Sequence, residues 1–268
     1  MVDRHLPPIS EVVLTRPAGS NAGLREALVA ARPAGMVEPT LITQPLLAIQ
    51  PLPDGGELPG ALAAMTPTDL VVFVSPRAVE AARAVCPLGD WPAREFAAVG
   101  AATGGALAEA GRPAAFLPDA SEDSEGLLES LRDVPVTGRR VWIIRGETGR
   151  ELLADALAAR GAEPRFVAVY RRECPDPHPR PPAPAGPTCL WIITAPQALD
   201  CFARLTSETD ASQFGLLDSN LLVINERARD RARAAGIRGP ISLAGGPGAD
   251  TLARAAWQVI ADRQSPSP

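Results

Sequence analysis

Short, continuously apolar runs separated by longer stretches of helical spacing recur along the whole chain. Glu11-Val-Val-Leu-Thr15, Phe96-Ala-Ala-Val99, Arg140-Val-Trp-Ile-Ile144, Cys189-Leu-Trp-Ile-Ile193 and Leu221-Leu-Val-Ile224 read as short strands, and Leu70-Val-Val-Phe-Val74 is apolar enough to be buried on both faces. Ala114-Ala-Phe-Leu117 and Pro240-Ile-Ser-Leu243 keep the same rhythm more weakly. The intervening stretches predict helices over 22–31, from Pro76, from Gly100 to Ala110, from about Ser124 to Arg132, from Gly149 to Arg160, from Pro196, from Glu226 and lastly to about Ala261. Ser75 reads as an N-cap with Pro76 in the first helical position, and Thr148 with Glu151 fits a T-x-x-E capping box. Strands alternating with helices in this way predict parallel sheets covered by helices on both faces.

Two extended, proline-marked segments interrupt the rhythm. Pro45-Leu-Leu-Ala-Ile-Gln-Pro-Leu-Pro53 is the first, and Arg165-Phe-Val-Ala-Val-Tyr-Arg-Arg-Glu173 is the second. The second runs into Cys174-Pro-Asp-Pro-His-Pro-Arg-Pro-Pro182, which cannot continue a hydrogen-bonded ladder. The simplest geometry lets the two run side by side, one entering a domain and the other leaving it. A faint repeat supports two halves: Val74-Ser-Pro-Arg-Ala-Val79 resembles Thr194-Ala-Pro-Gln-Ala-Leu199, and Ala110-Gly111 and Ala235-Gly236 end matching helices, at an offset of about 120 to 125 residues. The C-terminal half is short of strands, so the N-terminal β-α unit is expected to complete it. This predicts one lobe from residues 1–40 plus 175–264 and another from 45–168. Crossover strands lie at about 40–48 and 165–175, and 265–268 form a disordered tail.

Composition narrows the chemistry. Among 268 residues, 46% are hydrophobic and 21% charged, which suits a soluble globular protein of one large or two modest domains. No apolar run approaches a membrane span and the N-terminus lacks a secretory core, so a cytoplasmic protein is expected. Cys86, Cys174, Cys189 and Cys201 show no C-x-x-C spacing, and the two histidines, His5 and His178, lie in polar, proline-flanked segments. Neither a metal site nor a disulfide framework is expected. All 26 basic residues are arginine, which excludes a Schiff-base lysine and a G-K-[ST] phosphate loop, and leaves fork-shaped cations to bind anions. With a net charge of −5, a nucleic-acid partner is not expected, and an anionic ligand must meet a local cationic site.

In parallel α/β sheets, ligands gather where strands end and helices begin. Thr15-Arg16, Ser75-Pro-Arg77, Gly100-Ala-Ala-Thr103, Arg145-Gly-Glu-Thr-Gly-Arg150 and Thr194-Ala-Pro196 combine hydroxyls, small residues and arginine at such junctions. Each also has a plain structural reading as a helix cap. Together, facing across a hinge, they would hold a ligand rich in carboxylates or phosphates. The glycine-rich pieces at Gly100-x-x-x-Gly104-Gly105 and Gly245-Gly-Pro-Gly248 do not fit G-x-G-x-x-G, and a G-x-S-x-G elbow is absent. Tyr170 is the only tyrosine. It either packs its ring at the hinge or presents a hydroxyl to a leaving group.

Thr15-Arg-Pro17, Phe73-Val-Ser-Pro-Arg-Ala-Val79, Ala98-Val-Gly-Ala-Ala-Thr103 and Gly161-Ala-Glu-Pro-Arg-Phe-Val-Ala-Val-Tyr170, in this order and spacing, resemble uroporphyrinogen-III synthases over nearly the whole chain. The resemblance implies two flavodoxin-like α/β lobes joined by a two-stranded antiparallel linker, with the active cleft between them. It implies a cofactor-independent, monomeric lyase that closes linear hydroxymethylbilane to uroporphyrinogen III. Water is lost and the last pyrrole ring, ring D, is inverted through a spiro intermediate, a step of heme biosynthesis. Tyr170 matches the position that assists departure of the hydroxyl. Thr15, Arg16, Ser75, Arg77, Thr103, Arg145, Gly146 and Thr194 are the expected contacts to the acetate and propionate groups.

The chain departs from that pattern in two places. Ile224-Asn-Glu-Arg-Ala228 stands where relatives carry a Gly-x-x-Thr turn, and Thr194-Ala195 replaces a Thr-Ser pair. Glu226 would repel a polyanion unless it turns to its own helix. Two other classes therefore remain open on sequence: a non-catalytic two-lobed module binding tetrapyrroles or polyanions, and an unrelated α/β enzyme acting on a phosphorylated metabolite.

Overall fold

A computed structural model of the chain describes residues 6–118, 123–149, 151–175, 185–208 and 215–264. In chain order it contains β1 (Glu11–Leu14), α1 (Ala22–Ala30), β2 (Thr40–Thr43), β3 (Ala48–Pro51), α2 (Leu58–Ala64), β4 (Leu70–Phe73), α3 (Pro76–Val85), β5 (Glu95–Ala98), α4 (Ala101–Glu109) and α5 (Ser124–Ser130). There follow β6 (Arg140–Gly146), α6 (Leu152–Ala159), β7 (Glu163–Glu173), β8 (Cys189–Ile193), α7 (Pro196–Glu208), β9 (Asn220–Val223), α8 (Glu226–Ala234), β10 (Ile241–Leu243) and α9 (Ala249–Gln264). The chain divides into two compact units, one made of the chain up to Ala48 with the chain from Glu173 onward, the other Ile49–Arg172.

The first unit holds a five-stranded sheet in the order β10-β9-β8-β1-β2, with all four neighbouring pairs parallel. β1 lies between β8 and β2, so the N-terminal β-α unit is part of the sheet formed by the C-terminal strands. Strand alternation sends Val13, Trp191, Ile193, Leu221 and Val223 to a face covered by Leu199 and Phe202 of α7 and Ala228 and Ala232 of α8. Val12, Leu14, Leu190, Ile192 and Leu222 meet Leu24 and Leu28 of α1 and Leu252, Trp257 and Ile260 of α9 on the other. Both faces are dry, which is why these strands read as continuous apolar runs rather than alternating ones.

The second unit repeats the plan in the order β3-β7-β6-β4-β5. The pairs β4–β5, β4–β6 and β6–β7 are parallel. Val71, Phe73, Phe96, Ala98, Trp142 and Ile144 pack under Leu58, Val79 and Leu107 from α2, α3 and α4. Leu70, Val72, Ala97, Val141 and Ile143 pack under Leu127, Leu153 and Leu157 from α5 and α6. No helix among the described residues is long and apolar enough to cross a membrane.

Three expectations are corrected. Ala114–Leu117 forms only an isolated parallel bridge, Phe116 to Ala97, because Pro113 and Pro118 bracket the segment and neither has an N–H for a ladder. The helix expected from Gly149 begins at Leu152; Glu151 itself occupies the N-cap position and makes no side-chain cap bond, so the Thr148–Glu151 capping box does not form. The preceding residues are held elsewhere: the Glu147 N–H donates to the Tyr170 carbonyl at 2.9 Å, and Gly149 backs onto the Arg145 guanidinium, which any side chain there would strike. Finally, Cys174 and Cys201 form a disulfide with Cα atoms 5.2 Å apart. Spacing along the chain could not show this pair, because the segment leaving β7 meets α7 only through the tertiary fold. His5, His178, Arg150 and the tail 265–268 lie outside the described residues.

Candidate active site

The carboxyl ends of β4, β6 and β7 bring Ser75, Arg145, Gly146 and Tyr170 together within the unit Ile49–Arg172. Ser75 follows β4 with extended backbone, and its Oγ accepts the Ala78 N–H at 3.2 Å, so it caps α3 as its position before Pro76 predicts. The same Oγ lies 3.4 Å from the Tyr170 hydroxyl, and either group can donate. Tyr170 is buried, at 3% exposure, and its ring packs in the core with Trp142, Ile144, Val167 and Val169. The Arg172 guanidinium stands 5.9 Å from the centroid of that ring. Thr103 is buried in the first turn of α4, and Arg77, in the first turn of α3, pairs with Glu80 at 2.7 Å on the exposed face.

Among the described residues of this unit, Arg145 is the buried cation, at 7% exposure. Its guanidinium lies 4.5 Å from the centroid of Phe166, and its Nε donates to the Gly146 carbonyl at 3.2 Å. Burial lowers its pKa, while Glu151 and Tyr170 act in the opposite sense; a guanidinium so placed stays charged. Arg145 borders a cavity of about 590 Å³ walled by Leu52, Phe166 and Ala168, with Glu57, Glu147 and Glu151 at its polar edge. From the sequence Glu151 reads only as a capping residue and Glu147 only as part of the Arg145–Arg150 junction, while nothing in its local pattern marks Glu57. Glu57 is anchored by the Ala168 N–H, which donates to its Oε2 at 3.1 Å.

Thr15, Arg16 and Thr194 lie in the other unit, at the ends of β1 and β8. The Thr15 hydroxyl donates to the Ile192 carbonyl at 2.6 Å and is buried, so its proton ties two strands together. Arg16 donates through Nη2 to the Pro247 carbonyl at 2.6 Å, and burial lowers its pKa. The glycine-rich segment that fitted no nucleotide fingerprint therefore serves to hold Arg16. Asn21, which the sequence reading passed over, orients the same loop by donating from Nδ2 to the Arg16 carbonyl at 2.9 Å. Thr194 is half-buried just beyond β8. In the divergent turn, Asn225 caps α8 by accepting the Ala228 N–H at 3.0 Å, and Glu226 pairs with Arg229 one turn along, so its carboxylate is turned to its own helix.

The sequence profile described as Uroporphyrinogen-III synthase HemD matches residues 29–252. A uroporphyrinogen-III synthase from Salmonella typhimurium is 34% identical over 256 residues, covering 91% of this chain and 98% of that protein. One from Escherichia coli is 31% identical over 217 residues, covering 79% and 87% respectively. Among solved structures, uroporphyrinogen-III synthetase from Helicobacter pylori superposes with a TM-score of 0.56 at 14% identity, covering 94% of this chain and 100% of that one. A mutant uroporphyrinogen III synthase from Thermus thermophilus gives 0.50 at 17%, covering 95% and 99%. The structural likeness fixes the two-sheet α/β fold, the sequence likeness covers most of the chain, and the chain belongs to the uroporphyrinogen-III synthase family.

Proposed function

We propose that the chain is the lyase that closes hydroxymethylbilane to uroporphyrinogen III, and that Tyr170 is the residue that assists the chemical step. The observation that carries the second part is the placement of the single phenol. Its hydroxyl lies against Ser75 Oγ at 3.4 Å at the carboxyl ends of the strands, the edge where parallel sheets receive ligands.

The reaction asks little covalent chemistry of the protein. Departure of the terminal hydroxyl leaves a resonance-stabilised azafulvenium, so the useful acts are donation of a hydrogen bond to the leaving oxygen and confinement of the curled chain. Ser75 supports the first act in either orientation. When it donates to the phenol oxygen, the phenol proton is free to point at the leaving group; when it accepts, the hydroxyl is parked in the resting state. Confinement falls to the cationic and backbone donors. Arg145 is buried beside a cavity, and Arg16, Arg77, Thr103 and Thr194 are assigned to the acid groups of the substrate, while Thr15, whose hydroxyl proton goes to the Ile192 carbonyl, holds the strand end beside Arg16. Multiple charged contacts of this kind orient the substrate in its ground state and through the reaction alike.

The test is direct. Purified protein is supplied with hydroxymethylbilane, the product is oxidised, and the type I and type III porphyrin isomers are resolved by chromatography. Predominant type III product is expected. Product that is wholly type I and forms at the rate seen without protein refutes the assignment and leaves a binding module.

A further inference from the structure

The place of the Tyr170 ring is set by two features that the reaction scheme does not use. On β6, strand alternation puts Trp142, Ile144 and Gly146 on one face, and the first two pack with Val167 and Val169 of β7. Regular alternation along β7 would turn residue 170 away from Val169, to the face of the exposed Phe166 and half-exposed Ala168. It does not, because the β6–β7 register shifts there: Arg145 pairs with Ala168, whereas Gly146 pairs with Tyr170. One step of the alternation is lost, and Tyr170 comes back onto the face of Val167 and Val169, toward Ser75. The ring then lies flush against Gly146. A Cβ at that position would stand 2.8 Å from Cε2, 2.9 Å from Cζ and 3.3 Å from Cδ2 of the tyrosine. Gly146 is not among the residues with positive φ, so its backbone does not require glycine; the ring does.

We propose that Gly146 is a positioning residue, whose missing side chain fixes where the Tyr170 hydroxyl stands, and that it acts on the reaction only through that hydroxyl. The proposal rests on the reading that Tyr170 assists departure of the leaving hydroxyl. A methyl group at residue 146 must push the ring at Cζ, the atom that bears the hydroxyl, so the donor moves with it. The close approach that makes the slot is the same one that aims the group.

The experiment is a double-mutant cycle on the full chain with Gly146→Ala and Tyr170→Phe, read as kcat and KM separately, with thermal melts of each variant. Gly146→Ala is expected to lower kcat about tenfold, as far as Tyr170→Phe does, with KM within about twofold of the parent. In the Tyr170→Phe background the alanine should lower kcat no further, because no hydroxyl remains to be misplaced. In the melts, Gly146→Ala combined with Tyr170→Leu should unfold at a higher temperature than Gly146→Ala alone, because leucine ends at its δ carbons. An equal loss of kcat in both backgrounds, a raised KM with kcat kept, or parent-like kinetics for Gly146→Ala overturns the proposal. Should Gly146→Ala fail to fold, recovery by Tyr170→Leu sustains the slot and lack of recovery removes it. Parent-like activity of Tyr170→Phe sinks the catalytic reading instead, and the melts still judge the slot on their own.

Discussion

Replacing Tyr170 by phenylalanine removes one oxygen and leaves the ring, so the structure sets what each measurable quantity should do. Among the described residues the hydroxyl makes one hydrogen-bonding contact, the 3.4 Å approach to Ser75 Oγ, which is long for a hydrogen bond between hydroxyls. Ser75 keeps the Ala78 N–H at 3.2 Å when the phenol is gone, so no buried partner is stranded. The stability change should therefore fall below about 1 kcal/mol, at the low end of what a neutral hydrogen bond contributes. Positioned proton donation supplies about 10²–10⁴-fold in general. An azafulvenium forms readily without help, which places the expected loss in kcat at about tenfold, or about 1.4 kcal/mol in the barrier. Isomer composition should hardly move, because ring placement depends on confinement and not on the phenol. Steady-state kinetics with chromatographic resolution of the two isomers and a denaturant melt read all three quantities on one preparation. Full activity of Tyr170→Phe, with Tyr170→Ala losing the roughly 3–5 kcal/mol of a truncated buried aromatic and little else, would make the residue a packing element and refute the reasoning.

Arg16→Ala and Arg77→Ala should each raise KM more than they lower kcat, because contacts to peripheral acid groups persist through the reaction. A desolvated charged hydrogen bond contributes about 1.5–3 kcal/mol and an exposed one less, and affinity should weaken with salt; unchanged kinetics for both variants would take them out of the site. The unfolded, unreduced protein should titrate two thiols and the reduced protein four. The folded protein at neutral pH should titrate chiefly Cys86, since burial and then the Glu11 carboxylate push the Cys189 thiol to about 12. Replacing Cys174 and Cys201 by serine should lower stability by up to about 3.5 kcal/mol on the chain-entropy estimate for a separation of 27 residues. We further propose that residues 45–168 fold alone: expressed by themselves they should melt cooperatively without synthase activity, and a disordered product would count against independent units.

The fold class was legible because the strands are buried on both faces, and burial of that kind leaves a mark that does not depend on register. Leu70–Phe73 is wholly apolar, and its alternate residues divide between two helical layers. What failed to show was whatever depended on a neighbour distant in sequence. The pairing of Cys174 with Cys201 needs the segment beyond β7 to lie against α7. The late start of α6 needs Arg145 and Tyr170 to claim residues 147–149 first. A capping box is a local preference of about 1 kcal/mol, and contacts of this number readily outweigh it.

For the candidate site the sequence offers positions and not roles, and the arginines explain why. With lysine absent, every arginine looks like a possible anion ligand. In the fold, many of these forks instead bind the chain itself. Arg160 Nη2 donates to the carbonyls of Leu131, Arg132 and Val134, Arg112 to those of Leu88, Gly89 and Trp91, and Arg139 to those of Thr68 and Asp69. Composition cannot separate these from the arginines that stand at strand ends. Topology can, because only residues just beyond a parallel strand reach the edge where helix N-termini also point. Tyr170 escapes even that rule, since its side-chain direction follows from a one-residue shift against Gly146 that no spacing in the sequence encodes. For this chain, a substitution that leaves every strand and cap in place but alters residue 146 should test the chemistry more sharply than the loss of any single arginine.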